Sequence, residues 1–285
     1  MNIKNSILGY VVGDSLGLEK KYGNYVGSFS ANTSFLIATM DSLLDSNKLD
    51  FIDISNKYLS ILNYAKYTAN SEIIDLGSTT MKSIMKYDGN NPVNYGDNSF
   101  YSNGNGALAR MLPIALFLHT KKDQEFRKTI IDFSSITHNN EISLMGCYIF
   151  SKYVQFLIQG KSKEIAFKLL KELDYSDFNI KTINYYKKIF NNNFLLNAPV
   201  NSDFIVDTLE TVFYVILTTN NIKDAIKLCL KINCDANTVT ALVGGLAGLI
   251  YGEYIKEYEY TKMDKIEQIS MYFEKFIIEK NKYFV

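Results

Sequence analysis

Residues 233–252 read NCDANTVTALVGGLAGLIYG, a short polar cluster that runs into small and apolar residues. Gly244, Gly245 and Gly248 carry no side chain, so the backbones of neighbouring helices can approach this stretch closely. Its weakly polar part is about a dozen residues long, too short to cross a bilayer. The stretch therefore predicts a helix that lies at the centre of a globular fold.

The rest of the chain shows the same helical character. Apolar residues three and four positions apart recur within residues 36–44, 54–65 and 266–276. Asn140 and the pair at residues 202–203 are side chains that typically begin helices. Because no segment alternates apolar and polar residues as a half-buried strand does, we predict an all-α fold.

Composition and charge exclude several classes of protein. The 285 residues include 30 basic and 30 acidic side chains, and 47% of them are apolar. This balance excludes a disordered chain and gives no support to a nucleic-acid partner. The apolar run from Ile7 ends at residues 13–14 without a cleavage site, so we expect a cytoplasmic protein with no membrane partner. We interpret the three cysteines as buried apolar groups in a reducing compartment: Cys147, Cys229 and Cys234.

Two long connections interrupt the helical pattern. Residues 86–106 read KYDGNNPVNYGDNSFYSNGNG, and residues 17–31 read GLEKKYGNYVGSFSA. A loop of about twenty residues is uncommon inside a domain and is often functional. Helical, core-forming sequence resumes on both sides of each connection, so neither resembles a linker. We therefore predict one domain over residues 1–285.

Two short polar segments lie near helix ends in the first part of the chain. Residues 13–17 read GDSLG, where we expect Gly17 to cap the first helix and Asp14 to be a buried hydrogen-bonding group. Residues 30–33 read SANT and begin the next helix, where such side chains accept free backbone N–H groups. A purely structural role explains each segment taken alone.

Two further segments are candidates for ligand chemistry. Residues 102–106 read SNGNG, and glycines at a helix start let backbone N–H groups converge on an anion. Arg110 follows and either adds positive charge or forms a structural ion pair. At the start of the small-residue helix, Asp235, Asn237 and Thr238 are polar groups that need partners if they are buried, and a ligand or ion is one possible partner.

In this order the segments resemble the ADP-ribosylglycohydrolase family. They match its GDxxG, Thr-Asp-Asp-Thr, GNG, Thr-His and Gly-Gly-Asp-x-Asp-Thr motifs at residues 13–17, 30–33, 104–106, 137–138 and 233–238. The resemblance covers about residues 5–255, and each motif is weak alone. It implies a single compact orthogonal domain of about eleven to thirteen helices around a ligand cleft, with Gly104, Asn105, Gly106, His138, Ser30, Asn32 and Thr33 facing the ligand.

The resemblance also implies two Mg²⁺ ions, and here the chain departs from the family. The ligand positions fall on Ser30, Ala31, Asn32, Asp235, Asn237 and Thr238. Mg²⁺ is normally bound through carboxylates, and two such ions about 3.5–4 Å apart repel each other strongly. One carboxylate where the family has four cannot offset that repulsion, so we expect no paired site and Mg²⁺ at most weakly or singly. The family glutamate eight residues after the first glycine falls on Lys21, with Glu19 two residues early.

Three functions remain open from these residues. The first is a degenerate ADP-ribosylglycohydrolase, a pseudoenzyme that keeps a cleft for ADP-ribose or an ADP-ribosylated protein. The second is an active hydrolase of ADP-ribosyl N- or O-glycosidic bonds that uses one metal ion or none, with Asp235 as the catalytic residue. The third is a structural or interaction protein with a vestigial pocket. Phe100 and Tyr101 could stack an adenine in the first two cases, or could simply be packing residues.

Overall fold

The computed structural model describes residues 1–196, 202–232, 235–256, 258 and 263–281. The regular elements in this part of the chain are helices, so the all-α prediction is confirmed. The α-helices are α1 (Ile3–Tyr22), α2 (Ala31–Ser46), α3 (Phe51–Tyr64), α4 (Ser78–Met85), α5 (Met111–Phe117), α6 (Asp123–Ser135), α7 (Glu141–Ile158), α8 (Lys163–Lys171), α9 (Ile180–Tyr185), α10 (Lys187–Phe190), α11 (Ile205–Thr218), α12 (Ile222–Lys231), α13 (Ala236–Tyr251) and α14 (Met263–Asn281). Short 3₁₀ turns lie at Phe100–Ser102, Leu108–Arg110 and Asn193–Leu195.

The described residues thus form fourteen α-helices, one more than the upper end of the predicted range. The difference lies in short elements that periodicity does not resolve. α9 and α10 are six and four residues long, and a single residue, Tyr186, separates them. The predicted helix start at Asn140 is correct, because its side chain accepts the Ile142 N–H at 3.1 Å.

α13 lies at the centre of the fold, as its small residues predict. Residues 236–249 are all buried, and α13 packs along the length of α1. The two backbones are in direct contact: a Cβ atom at Gly13 would lie 2.2 Å from the Thr240 carbonyl oxygen, and one at Gly244 would lie 2.1 Å from the Gly9 carbonyl oxygen. Glycine is therefore required on both helices of this pair.

The expectation that Gly17 ends the first helix is wrong. α1 continues to Tyr22, and Gly23 provides the left-handed cap with φ of 75°. The predicted irregular connection at residues 17–31 is accordingly reduced to residues 23–30. Gly17 serves helix packing instead, because its Cβ would lie 2.5 Å from the Ala236 carbonyl oxygen. Sequence alone does not distinguish a capping glycine from a packing glycine near a helix end.

The remaining helices surround this central pair. α5 and α6 pack on α7, while α14 returns to pack on α1 and α2. Cys147 and Cys229 are buried as expected, and Cys234 lies outside the described residues together with Asn233. Among the described helices, none combines the length and apolar character needed to cross a bilayer.

Candidate ligand cleft

An open cleft of about 410 Å³ lies at the end of the α1–α13 pair. Its walls come from the C-terminal end of α1, the start of α2, the start of α4, the loop before α5, and the N-terminal ends of α11 and α13. Of the predicted site residues, the lining includes Asn32, Gly104, Asn105, Gly106, His138, Asp235 and Thr238. Segments distant in sequence thus meet at one site, as the motif order indicated.

Ser30 and Thr33 lie behind the cleft wall and have a structural role. The carboxylate of Asp14 accepts the backbone N–H and the hydroxyl of Ser30 at 3.0 and 2.7 Å, and those of Thr33 at 3.2 and 2.6 Å. Ser30 also caps α2, since its Oγ accepts the Asn32 N–H at 3.1 Å. Burial raises the pKa of Asp14 to about 6 despite these four hydrogen bonds. The GDxxG and SANT segments therefore fix how α1 meets α2.

A lysine occupies the centre of the polar cluster at the cleft floor. The Lys21 ammonium lies 2.9 Å from Oδ1 of Asp235 and 2.9 Å from Oδ2 of Asp75. Oδ1 of Asn237 lies 3.4 Å from the same nitrogen. Asn237 also donates from Nδ2 to Oδ2 of Asp75 at 2.8 Å, and Tyr22 donates to the other Asp75 oxygen at 2.7 Å. We call these five residues the Lys21 cluster.

The charges of the Lys21 cluster stabilise one another. Partial burial acts to lower the pKa of Lys21, but the charges and hydrogen bonds of Asp235 and Asp75 outweigh it and hold that pKa above its usual value. Burial likewise acts to raise the pKa of Asp75, and hydrogen bonds from Tyr22 and Lys21 outweigh it, so the pKa is lowered. Lys21 and Asp75 are consequently both ionised at neutral pH.

The GNG loop supports the cluster from the opposite wall. Asn105 donates from Nδ2 to Oδ2 of Asp235 and to Oγ1 of Thr208, both at 3.0 Å. Its backbone N–H donates to the Asp203 carbonyl oxygen at 2.9 Å, so this amide is already engaged and does not point freely at an anion. At Gly106 a Cβ would lie 2.7 Å from Oγ1 of Thr80, which explains why glycine is needed there.

His138 lines the cleft as a neutral, buried side chain. Its Nδ1 lies 2.8 Å from Oγ1 of Thr137, and its Cε1 lies 3.1 Å from where a Cβ on Gly106 would be. Burial, together with the positive charge of Arg110, lowers the pKa of His138 to about 3. The imidazole can therefore donate or accept a hydrogen bond at Nε2, but it carries no charge near neutral pH.

Two residues considered from the sequence lie elsewhere. Arg110 is in the core, where its Nη2 donates to the carbonyl oxygens of Phe133 and Ser134 at 3.4 Å and its guanidinium lies 5.6 Å from the Tyr58 ring centroid. It does not line the cleft. Glu19 accepts a hydrogen bond from Tyr258 at 3.0 Å and is likewise absent from the lining. Glu19 therefore does not replace the missing family glutamate at the cleft.

The ligand set in the cleft does not fit two Mg²⁺ ions. Of the six positions that the resemblance assigns to metal, Ala31 has no donor atom, and Ser30 is engaged by Asp14. Asn32 donates from Nδ2 to Oγ1 of Thr238 at 3.1 Å, so the Thr238 hydroxyl oxygen is already engaged. Both oxygens of Asp235 are engaged by Lys21 and Asn105. Within the described residues no group of three or more His, Cys, Asp and Glu side chains is arranged to hold a metal ion.

Several cleft residues were not identified from the sequence. Asp75, Asp203 and residues 77–80 line the cleft but match no motif. Lys21 was noted only as a departure from the family. The spacing of four residues in Gly9, Gly13, Gly17 and Lys21 carries the missed signal, because such residues share one helical face.

Comparison with known proteins supports the family resemblance. The sequence model of the ADP-ribosylglycohydrolase family matches residues 2–275 of this chain. The chain is 24% identical over 270 residues to an ADP-ribosylarginine hydrolase of Serratia proteamaculans, an alignment that covers 87% of this chain and 71% of that protein. It is 26% identical over 275 residues to the ADP-ribosyl-[dinitrogen reductase] glycohydrolase of Rhodospirillum rubrum, covering 87% of this chain and 84% of that one.

A solved structure supports the same fold. The structure described as an ADP-ribosylglycohydrolase-related protein complex superposes with a TM-score of 0.80 at 19% identity. The match covers 97% of this chain and 98% of the other. This likeness concerns the fold alone, whereas the family match extends over nearly the whole sequence. The chain belongs to the ADP-ribosylglycohydrolase family.

Proposed function

We propose that this protein binds an ADP-ribose group, free or attached to a protein, in the cleft and does so without the paired Mg²⁺ ions of its family. The observation that carries the proposal is the Lys21 ammonium, which lies between Asp75 and Asp235 and so engages a carboxylate, Asp235, at a position where the family resemblance implies a metal ligand. The relatives are named for removing ADP-ribose from arginine or from dinitrogen reductase. The present chain would keep their recognition and lose their metal chemistry.

The cleft has the size and polarity for such a ligand. Its volume of about 410 Å³ lies within the usual range for small-molecule sites. α4 begins at the cleft, and its N-cap, Gly77, has no side chain to accept the first N–H groups. These N–H groups and the positive end of the helix suit a diphosphate, while Gly104, whose Cβ position is open, leaves room for the sugar.

Two exposed aromatic rings stand at the cleft mouth. Phe100 is 54% exposed and Tyr101 is 95% exposed, and both line the cleft. Large aromatic side chains with this exposure bury little of their own surface, and a purine ring could stack on either of them. The open cleft and these rings support ligand binding over a vestigial pocket, which we would expect to be filled by side chains.

Isothermal titration calorimetry with ADP-ribose tests the proposal. We expect saturable binding whose dissociation constant differs by less than about twofold between excess EDTA and millimolar Mg²⁺. Tyr101→Ala should weaken binding roughly tenfold through the loss of base stacking. Tyr64→Ala is the matched control, because Tyr64 is 80% exposed and does not line the cleft. Binding that requires Mg²⁺, or no binding at all, would contradict the proposal.

An active hydrolase without paired metal is the second candidate. Asp235 favours it, since this carboxylate faces the cleft and is oriented through both oxygens by Lys21 and Asn105. A carboxylate so placed could accept a proton from an attacking water. Release of ADP-ribose from modified arginine or serine that is abolished by Asp235→Ala would select this candidate over a binding protein.

A further inference from the structure

We infer that the Lys21 ammonium is a built-in cation that takes the place of a divalent metal ion in the cleft and positions Asp235 and Asp75. The inference rests on one part of the proposed function, the absence of a paired metal site. It does not require ADP-ribose to be the ligand. Lys21 is a positioning residue here, because it acts through the two carboxylates.

The hydrogen bonds of the ammonium carry the first part of the argument. A lysine ammonium has three N–H donors and no acceptor. Oxygens of three residues surround the Lys21 nitrogen: Asp75 and Asp235 at 2.9 Å each and Asn237 at 3.4 Å. A set of carboxylate and amide oxygens around one positive centre is also what a hard metal ion prefers. The ammonium therefore occupies the position that such an ion would need.

The α1–α13 pair fixes where the lysine points. Gly9, Gly13 and Gly17 lie at intervals of four along α1 and face the backbone of α13. Lys21 is the next residue in this series, so its side chain continues along the same face to the N-terminal end of α13. Asp235 and Asn237 are located there. The backbone contact of the two helices thus places the Lys21 ammonium beside the Asp235 carboxylate.

The hydrogen bonds of Asp75 support a positioning role for the contact. Its side chain is held from three directions, by Tyr22, Lys21 and Asn237. Loss of the ammonium would leave Asp75 and Asp235 as two uncompensated carboxylates in one partly buried cluster. Such a cluster would bind a divalent cation in place of the lysine.

The test measures Mn²⁺ and Mg²⁺ affinity by calorimetry on the full chain without any nucleotide ligand. We expect no saturable binding below about 1 mM for the wild type. Lys21→Glu should gain binding at least tenfold tighter than the wild type, because it adds a carboxylate to Asp75 and Asp235. Lys20→Glu is the matched control: Lys20 is an exposed neighbour on α1, so the change in net charge is the same.

A second variant keeps the test decisive if Lys21→Glu does not fold without metal. Lys21→Gln removes the charge and keeps two N–H donors, on a shorter side chain. It should also bind Mn²⁺ more tightly than the wild type, by a smaller factor than Lys21→Glu. A merely structural lysine would lower stability in both variants without creating metal affinity. Tight Mg²⁺ binding by the wild type, or no gain in the folded variants, would overturn the inference, whatever the result with ADP-ribose.

Discussion

Two titratable side chains beside the cleft have their protonation set by burial, and they respond to pH in opposite directions. His138 has a pKa of about 3 in the folded protein against 6.5 as its ordinary value. Asp14 has a pKa of about 6 against 3.8. Between pH 3 and 6.5 the unfolded chain holds more protons at His138, so this residue favours folding less as the pH falls. Between pH 4 and 6 the folded chain holds more protons at Asp14 than the unfolded chain does. Asp14 therefore favours folding more as the pH falls.

The variant His138→Asn isolates the histidine contribution. Relative to the wild type, the variant should lose less stability on acidification from pH 7 to pH 5, by about 2 kcal/mol, since each unit of pKa difference corresponds to about 1.4 kcal/mol. Asn is chosen because its amide reaches the position of Nδ1, which contacts Thr137. Denaturant unfolding at several pH values gives the comparison, and Asp14 contributes equally to both proteins. Parallel curves for the two proteins would show that folding does not lower the pKa of His138.

At the scale of elements, the sequence predicts the central position of α13 but not its packing on α1. The small residues of α13 indicate a central helix because only close backbone packing accounts for Gly244 and Gly248 together. The glycines of α1 are less readily interpreted: the sequence predicts Gly17 as a helix cap, whereas the helix continues to Tyr22. A glycine can be assigned to close packing between helices only when the partner helix is known. A single sequence does not show which helices pack together.

Gly13→Ala tests the backbone contact between these helices. A Cβ at this position would lie 2.2 Å from the Thr240 carbonyl oxygen, and backbone cannot move aside as a side chain can. We expect a loss of about 3 kcal/mol in the free energy of unfolding, at the upper end for overpacked cores. Gly77→Ala is the control, since nothing lies within 4 Å of its Cβ position and its φ is −62°. Chemical denaturation of both variants measures the difference, and equal stability would mean that the helices are further apart.

At the scale of the whole molecule, the cleft is assembled from residues that lie far apart in the chain. Lys21, Asp75, Asn105, His138 and Asp235 come from five separate segments. Motif order predicted three of them, because those segments match the family pattern. Asp75 belongs to no motif, and only the tertiary contact with Lys21 reveals its role. Sequence could therefore predict which segments converge but not which charges compensate each other there.

Binding in such a cleft should stabilise the molecule as one unit. α1 and α13 share their backbone contact, and α14 packs back on α1, so the predicted single domain over residues 1–285 should unfold in one transition. ADP-ribose at about 100 times its dissociation constant should add roughly 2.7 kcal/mol, which for a chain of this length raises the midpoint by about 4 °C. Differential scanning calorimetry with and without ADP-ribose measures this shift. If part of the heat absorption stays at its original temperature, that part unfolds independently, and the single-domain prediction is wrong.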